Sequence, residues 1–246
     1  MVDKPFGWTS FDVVNKIRYA LSRRLGVKKP KIGHAGTLDP LATGLLILCV
    51  GEYTKKIEEF QAMPKEYTGV ITFGATTPSF DLEKDMDATY PTAHLTNELM
   101  QHVKQQFTGV IRQIPPVFSA VKVDGRRLYK NARTGEEVEL PERPVHIESF
   151  EISALRSVPP PVHRLPSAVS NKGAAIMLHP DYREGLQIDF RVVCSKGTYI
   201  RSLAHDLGQA AGSGAYLSSL RRTGTGGFSV EDAWEVEALV EWIRGE

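Results

Sequence analysis

Cysteine is scarce: Cys49 and Cys194 are the two in 246 residues. Each sits in an apolar run, 45–50 and 188–194, so buried free thiols in a reducing compartment are expected and a disulfide framework is excluded. Long hydrophobic runs are missing too. No stretch approaches the ~20 apolar residues of a membrane-spanning helix. Met1-Val2-Asp3-Lys4-Pro5 has neither the apolar core nor the cleavage site of a secretory signal, so a cytoplasmic location is expected. The histidines and cysteines show no metal-ligand spacing, and no glycine-rich stretch ends in the Gly-Lys-Ser/Thr of a phosphate loop. No metal or cofactor is expected. There is no internal repeat, and almost no excess of charge: 30 Lys and Arg face 29 Asp and Glu, a net charge of +1.

The chain is 41% hydrophobic and 24% charged, which excludes a disordered or collagen-like polymer. With no evident linker, residues 1–246 are expected to form a single catalytic domain. The near-zero charge conceals segregation. Basic residues gather at Arg23, Arg24, Lys28, Lys29 and Lys31, at Lys122, Arg126, Arg127, Lys130 and Arg133, and at Arg221 and Arg222. Acidic ones gather at 81–87, 136–142 and 231–246. Such segregation can make one face positive on a nearly neutral protein, and a phosphate backbone responds to that local field.

Periodicity predicts alternating short strands and helices, an α/β chain with sizeable antiparallel content. Thr9 or Ser10 can cap a helix carrying Val13, Val14, Ile17, Ala20 and Leu21 at helical spacing. Residues 45–50 read as a strand, as do 67–73 and 185–194. Thr96 caps a helix with Leu99, Val103 and Phe107 on one face. Pro115-Pro116 leads into an extended segment with a hairpin at Asp124-Gly125. Residues 159–166 read as a loop and 171–184 as a variable excursion. A helix is expected over 198–211, and Ser229 is expected to cap the last one, with Val236, Leu239, Val240 and Ile243 on its apolar face.

The most informative segment is Gly33-His34-Ala35-Gly36-Thr37-Leu38-Asp39-Pro40-Leu41-Ala42-Thr43-Gly44. Its glycines and proline cannot build a regular helix or central strand, so it is a shaped loop. One carboxylate, Asp39, is locked before Pro40. This segment resembles the catalytic motif of the TruB family of pseudouridine synthases. The resemblance begins at Asp3-Lys4-Pro5-Phe6-Gly7-Trp8-Thr9-Ser10 and runs to about Val230. It includes Lys65-Glu66-Tyr67, the Gly74…Thr77…Asp81 strand-loop, Ile114-Pro115-Pro116 and the stretch Ser119 to Tyr129. Cys194-Ser195-Lys196-Gly197-Thr198-Tyr199-Ile200-Arg201-Ser202-Leu203 and Leu220-Arg221-Arg222 complete it.

The resemblance implies a pseudouridine synthase fold: a mixed, mostly antiparallel sheet flanked by helices and loops, with a central RNA-binding cleft. It implies isomerisation of uridine to pseudouridine at position 55 in the T-loop of tRNA. Asp39 matches the family nucleophile, Arg201 the arginine that pairs with it, and Tyr67 the tyrosine that stacks on the flipped base. His34 matches the histidine that fills the space left by the extruded nucleotide, a binding role. Thr37 is placed with the substrate-binding residues and Leu220 as an apolar wall of the pocket. Lys4, Lys122, Arg126, Arg127, Arg221 and Arg222 are candidates for phosphate contacts, which set register but carry no sequence information.

Three departures from the family pattern stand out. Only Met1-Val2 precede Asp-Lys-Pro, where relatives commonly have a short strand. Residues 158–183 resemble an insertion, and the chain ends soon after Val230, without the PUA-type RNA-binding domain of many members. A monomer acting on the T-arm without guide RNA is therefore expected. The competing expectation is a tRNA-binding or tRNA-folding protein whose isomerase activity is secondary or lost. The trio Asp39, Tyr67 and Arg201 favours the enzyme.

Overall fold

The computed structural model describes residues 1–116, 141–159 and 178–245, with the backbone of the short strands Lys122–Val123, Arg126–Arg127, Ala168–Val169 and Ala175–Ile176. The chain is mixed α/β, with a large, mostly antiparallel sheet flanked by helices. It divides into two compact units, 1–68 with 164–178 and 219–246, and 69–163 with 179–218.

The first unit is built on the strand Val2–Lys4. It pairs in parallel with Trp234–Glu235 and antiparallel with Ala42–Leu46, which in turn pairs in parallel with Leu220, Arg221 and Arg222. Helix α1, Ser10–Leu25, covers this sheet. Its N-terminus is a capping box: the Asp12 amide donates to Thr9 Oγ1 at 3.0 Å, and the Thr9 amide donates to the Asp12 carboxylate at 2.9 Å. Val13, Val14, Ile17 and Ala20 are buried with Val2, Ile32 and Leu46, and with Val236, Val240 and Ile243 of the last helix. The helical spacing of these apolar residues is what packs the two helices on one core.

The expected strand over 45–50 is two strands. Ala42–Leu46 ends at Ile47, whose carbonyl accepts from the Ala35 amide at 2.9 Å, and Leu48–Val50 pairs antiparallel with Ile32–His34. The last helix also departs from expectation. Ser229 caps a single 3-10 turn, Val230–Asp232, through a bond from the Glu231 amide. The helix begins only at Val236, after the strand Trp234–Glu235 has paired with the N-terminus.

In the second unit, Arg143–Ile152 lies between Gly109–Gln113 and Leu186–Cys194, antiparallel to both. Helix α2, Ile57–Ala62, belongs to the first unit, while α3, Asn97–Lys104, and α4, Ile200–Ala210, belong to the second. Thr96 caps α3 as expected, accepting from the Leu99 amide at 3.2 Å. The expected hairpin pairs Val123 with Arg126 and Lys122 with Arg127, while its turn at 124–125 lies outside the described residues. So do all but the first residue of the expected loop over 159–166 and much of the excursion over 171–184. The described end of that excursion is anchored: Asp181 accepts from Ser218 Oγ at 2.6 Å and Tyr216 Oη at 3.0 Å.

Candidate active site

Asp39 sits in a loop whose shape is dictated by its neighbours. At Gly44 φ is +105°, and a Cβ there would lie 2.2 Å from the carbonyl oxygen of Arg222. Only glycine admits that approach. The residues flanking Asp39 are tied on both sides. The Leu38 amide donates to Ser10 Oγ at 2.8 Å, and that hydroxyl lies 3.2 Å from the Leu38 carbonyl. The Pro40 carbonyl accepts from the Gly7 amide at 2.8 Å and from Lys4 Nζ at 3.4 Å. The Asp39 carbonyl accepts from the Ala42 amide at 3.1 Å. The segment from Lys4 to Ser10 is therefore the scaffold of the loop, and the half-buried Asp39 carboxylate is carried on a fixed backbone.

Lys4 and Arg222, both expected at phosphates, lie in the interior instead. Lys4 is fully buried and donates to the carbonyls of Pro5 and Trp8 at 2.9 and 2.6 Å as well as to Pro40. Burial pushes its pKa down to about 7, with Asp39 and Asp12 opposing the fall and Arg222 adding to it. Arg222 is 1% exposed and donates from Nε to the Leu45 carbonyl at 2.7 Å and from Nη2 to the Gly36 carbonyl at 3.2 Å. Both cations brace the Asp39 loop from inside, where no phosphate reaches. Arg221 is half-exposed but engaged, its guanidinium bonded to both Asp3 oxygens at 3.0 and 2.6 Å.

His34 closes the strand before the loop and is half-buried, which holds its imidazole below the usual histidine range. Thr37 is exposed at the loop tip. Leu220 and Tyr67 are half-buried in the same unit, Leu220 in register with Ala42 and Tyr67 on Lys65–Phe73. One unit thus carries Asp39, Tyr67, His34, Thr37 and Leu220. The side chains of Lys122, Arg126 and Arg127 lie outside the described residues.

Arg201 belongs to the other unit, in the first turn of α4, and is 4% exposed. Its Nη1 donates to the Ser79 carbonyl at 3.1 Å and lies 3.7 Å from Asp81 Oδ2. Asp81 is itself fixed: Oδ1 accepts from Ser79 Oγ at 2.7 Å and from the Glu83 amide at 3.0 Å. The family resemblance includes Asp81 in a matching strand-loop and implies no role for it. A buried arginine needs a nearby carboxylate, and that requirement is the signal that marks it.

The basic cluster at the end of α1 is a surface feature. Tyr19, Arg23, Arg24 and Arg244 line an open depression of about 520 Å³. Arg23 lies 5.0 Å from the centre of the Tyr19 ring.

Known proteins bear on the identity. A sequence profile of the TruB family pseudouridylate synthase N-terminal domain matches residues 23–200, and one of the tRNA pseudouridylate synthase B C-terminal domain matches 201–245. A protein of Phocaeicola vulgatus named tRNA pseudouridine synthase B is 53% identical over 241 residues, covering 98% of this chain and 91% of the relative. One of the same name from Flavobacterium johnsoniae is 48% identical, covering 99% and 95%. Among solved structures, a Cbf5-Nop10-Gar1 complex matches with TM-score 0.62 at 28% identity, over 98% of this chain and 53% of that one. An H/ACA RNP bound to a substrate RNA containing 2'-deoxyuridine matches with TM-score 0.60 at 25% identity, over 98% and 51%. The chain spans about half the length of those two structural relatives. Profile, full-length relatives and fold agree, and the chain belongs to the TruB family of pseudouridylate synthases.

Proposed function

We propose that this TruB-family isomerase converts uridine to pseudouridine at position 55 in the T-loop of tRNA, with Asp39 as nucleophile. The observation that carries the reading is the tethering of Leu38 and Pro40 on either side of Asp39, which holds one carboxylate on a fixed loop. Curated relatives at up to 53% identity, named for tRNA, support the substrate.

The reaction breaks the C1′–N1 glycosidic bond and forms a C1′–C5 bond at the same ribose. C5 loses its proton and N1 gains one, so nothing is oxidised or reduced and no cofactor is consumed. Attack of Asp39 at C6, attack at C1′ and assistance to a glycal-forming elimination all begin from the ionised carboxylate. The target nucleotide leaves the stack before any of them. Tyr67 supplies a stacking face for the extruded base, His34 fills the space left behind, and Arg201 keeps Asp39 ionised once the base has desolvated it. Thr37 and Leu220 contact the substrate at the loop tip and pocket wall. Lys122, Arg126 and Arg127, with the arginine-lined depression on α1, contact phosphates. The same reading makes the chain one catalytic domain, a monomer working in the cytoplasm on the T-arm without a guide RNA.

The test is pseudouridine mapping in a T-arm transcript after incubation with Asp39→Asn and with the unaltered protein. Asn is nearly isosteric, so the variant is expected to fold and bind RNA yet leave the uridine unconverted. Appreciable turnover by Asp39→Asn, with deamidation excluded, removes the nucleophile assignment. An unaltered protein that binds the transcript and converts nothing returns the chain to a tRNA-binding role.

A further inference from the structure

The residue between Ser79 and Asp81 has a conformation that a bulky side chain rarely adopts. Phe80 has φ of +61° and, among the described residues, is the one non-glycine residue at positive φ. The left-handed region costs any L-residue with a Cβ, and for an aromatic it is an outlier that the surroundings must hold. Its neighbours in sequence are the two groups that meet Arg201, the Ser79 carbonyl and the Asp81 carboxylate.

What holds Phe80 is on both its backbone and its ring. Its amide donates to the Thr77 carbonyl at 3.1 Å and its carbonyl accepts from the Leu217 amide at 3.0 Å. The ring lies face to face on His205, with centroids 4.0 Å apart and planes 14° from parallel. His205 stands one turn after Arg201 on α4, so the stack ties the turn to the helix that carries the arginine. Burial holds the His205 imidazole below its usual range against the pull of Asp87, and its Nδ1 is buried without a hydrogen-bond partner. A neutral ring with an unused nitrogen acts here as a flat surface.

We infer that Phe80 and His205 are positioning residues: their stack holds the Ser79–Asp81 turn in its left-handed conformation and thereby orients the Arg201 guanidinium. The inference rests on the proposed catalytic role of Arg201 for its effect on rate, but its geometric part stands apart from that role. The stack offsets the conformational cost of φ > 0. Removing it lets the turn relax to an ordinary conformation, and the carbonyl and carboxylate that grip Nη1 move together.

The experiment combines single-turnover kinetics on a T-arm transcript, RNA affinity, thermal midpoint and the ¹⁵Nη signals of Arg201 by NMR. Phe80→Leu keeps bulk but loses the flat face, His205→Ala removes the other half, and Phe80→Tyr restores the ring. From the cost of the left-handed conformation, Phe80→Leu and His205→Ala are each expected to slow turnover about tenfold, with affinity held within about twofold. Phe80→Tyr is expected to match the unaltered protein. The Arg201 Nη signals, split by hindered rotation in the unaltered protein and Phe80→Tyr, are expected to merge in the other two. If Phe80→Leu does not fold, His205→Ala carries the same reading. Split signals retained in His205→Ala overturn the inference, and so does a loss of rate that follows thermal midpoint instead of guanidinium order. Should Arg201→Met turn over normally, the catalytic reading of Arg201 fails, while the NMR comparison still decides the positioning.

Discussion

Lys4 carries an ammonium group into the interior next to the Asp39 loop, where burial lowers its pKa to about 7 and three carbonyls replace its water. Taken as a string, Asp-Lys-Pro reads as an exposed basic residue available to a phosphate. The folded chain turns that residue inward because the strand Val2–Lys4 alternates, and the side of Val2 and Lys4 is the buried one. Lys4→Met leaves those carbonyls without their donor, and is expected to cost about 2–3 kcal/mol of stability. Turnover is expected to fall by about a hundredfold from displacement of the nucleophile loop. The salt dependence of RNA affinity should be unaltered, since a buried Lys4 meets no phosphate. Denaturant titration, single-turnover rates and affinities across a salt series measure the three effects. A flattened salt slope would restore Lys4 to the phosphate-binding residues.

At the scale of the element, α4 concentrates the polar residues that its amphipathic pattern leaves inside. Arg201 and Ser202 are buried, and His205 and Asp206 half-buried, on a helix whose Leu203, Ala204 and Leu207 are core. Asp206 has its pKa raised to about 6 by burial. A carboxyl whose pKa is raised in the folded state binds its proton more tightly there than in the unfolded chain. Its contribution to stability therefore falls as pH rises from about 4 to about 6, and stays lowered above that. Asp206→Asn removes the penalty. The variant is expected to be more stable than the unaltered protein by about 1–2 kcal/mol at neutral pH, with the gap closing by about pH 4. Thermal or urea unfolding at the two pH values provides the check, and a gap that widens on acidification would mean that Asp206 has a stabilising ionic partner.

For the whole molecule, net charge is a poor guide and placement is the better one. The Arg23, Arg24 and Arg244 side chains stand together although they are more than 200 residues apart in sequence, because α1 and the last helix end side by side. Arg23→Ala combined with Arg24→Ala is expected to weaken RNA binding and flatten its salt dependence by about one unit of slope for each phosphate left unneutralised. The single-turnover rate at saturating RNA should be unchanged. Affinity that is unaltered at low salt would show that this face does not meet RNA. The sequence by itself determined the α/β character, α1 with its cap, the strand Lys65–Phe73 and the shaped loop around Asp39, since these follow from local periodicity, capping chemistry and the backbone limits of glycine and proline. The ordered motifs also carried the family. Only tertiary structure decided that Lys4 and Arg222 are interior braces and that Ser10 grips Leu38 while Thr9 alone caps. It also decided that Ser229 ends its work at a 3-10 turn, that Ser79 and Asp81 meet Arg201, and that Phe80 stacks on His205. Burial and long-range hydrogen bonding assign such roles, and both depend on which distant segments the fold brings together.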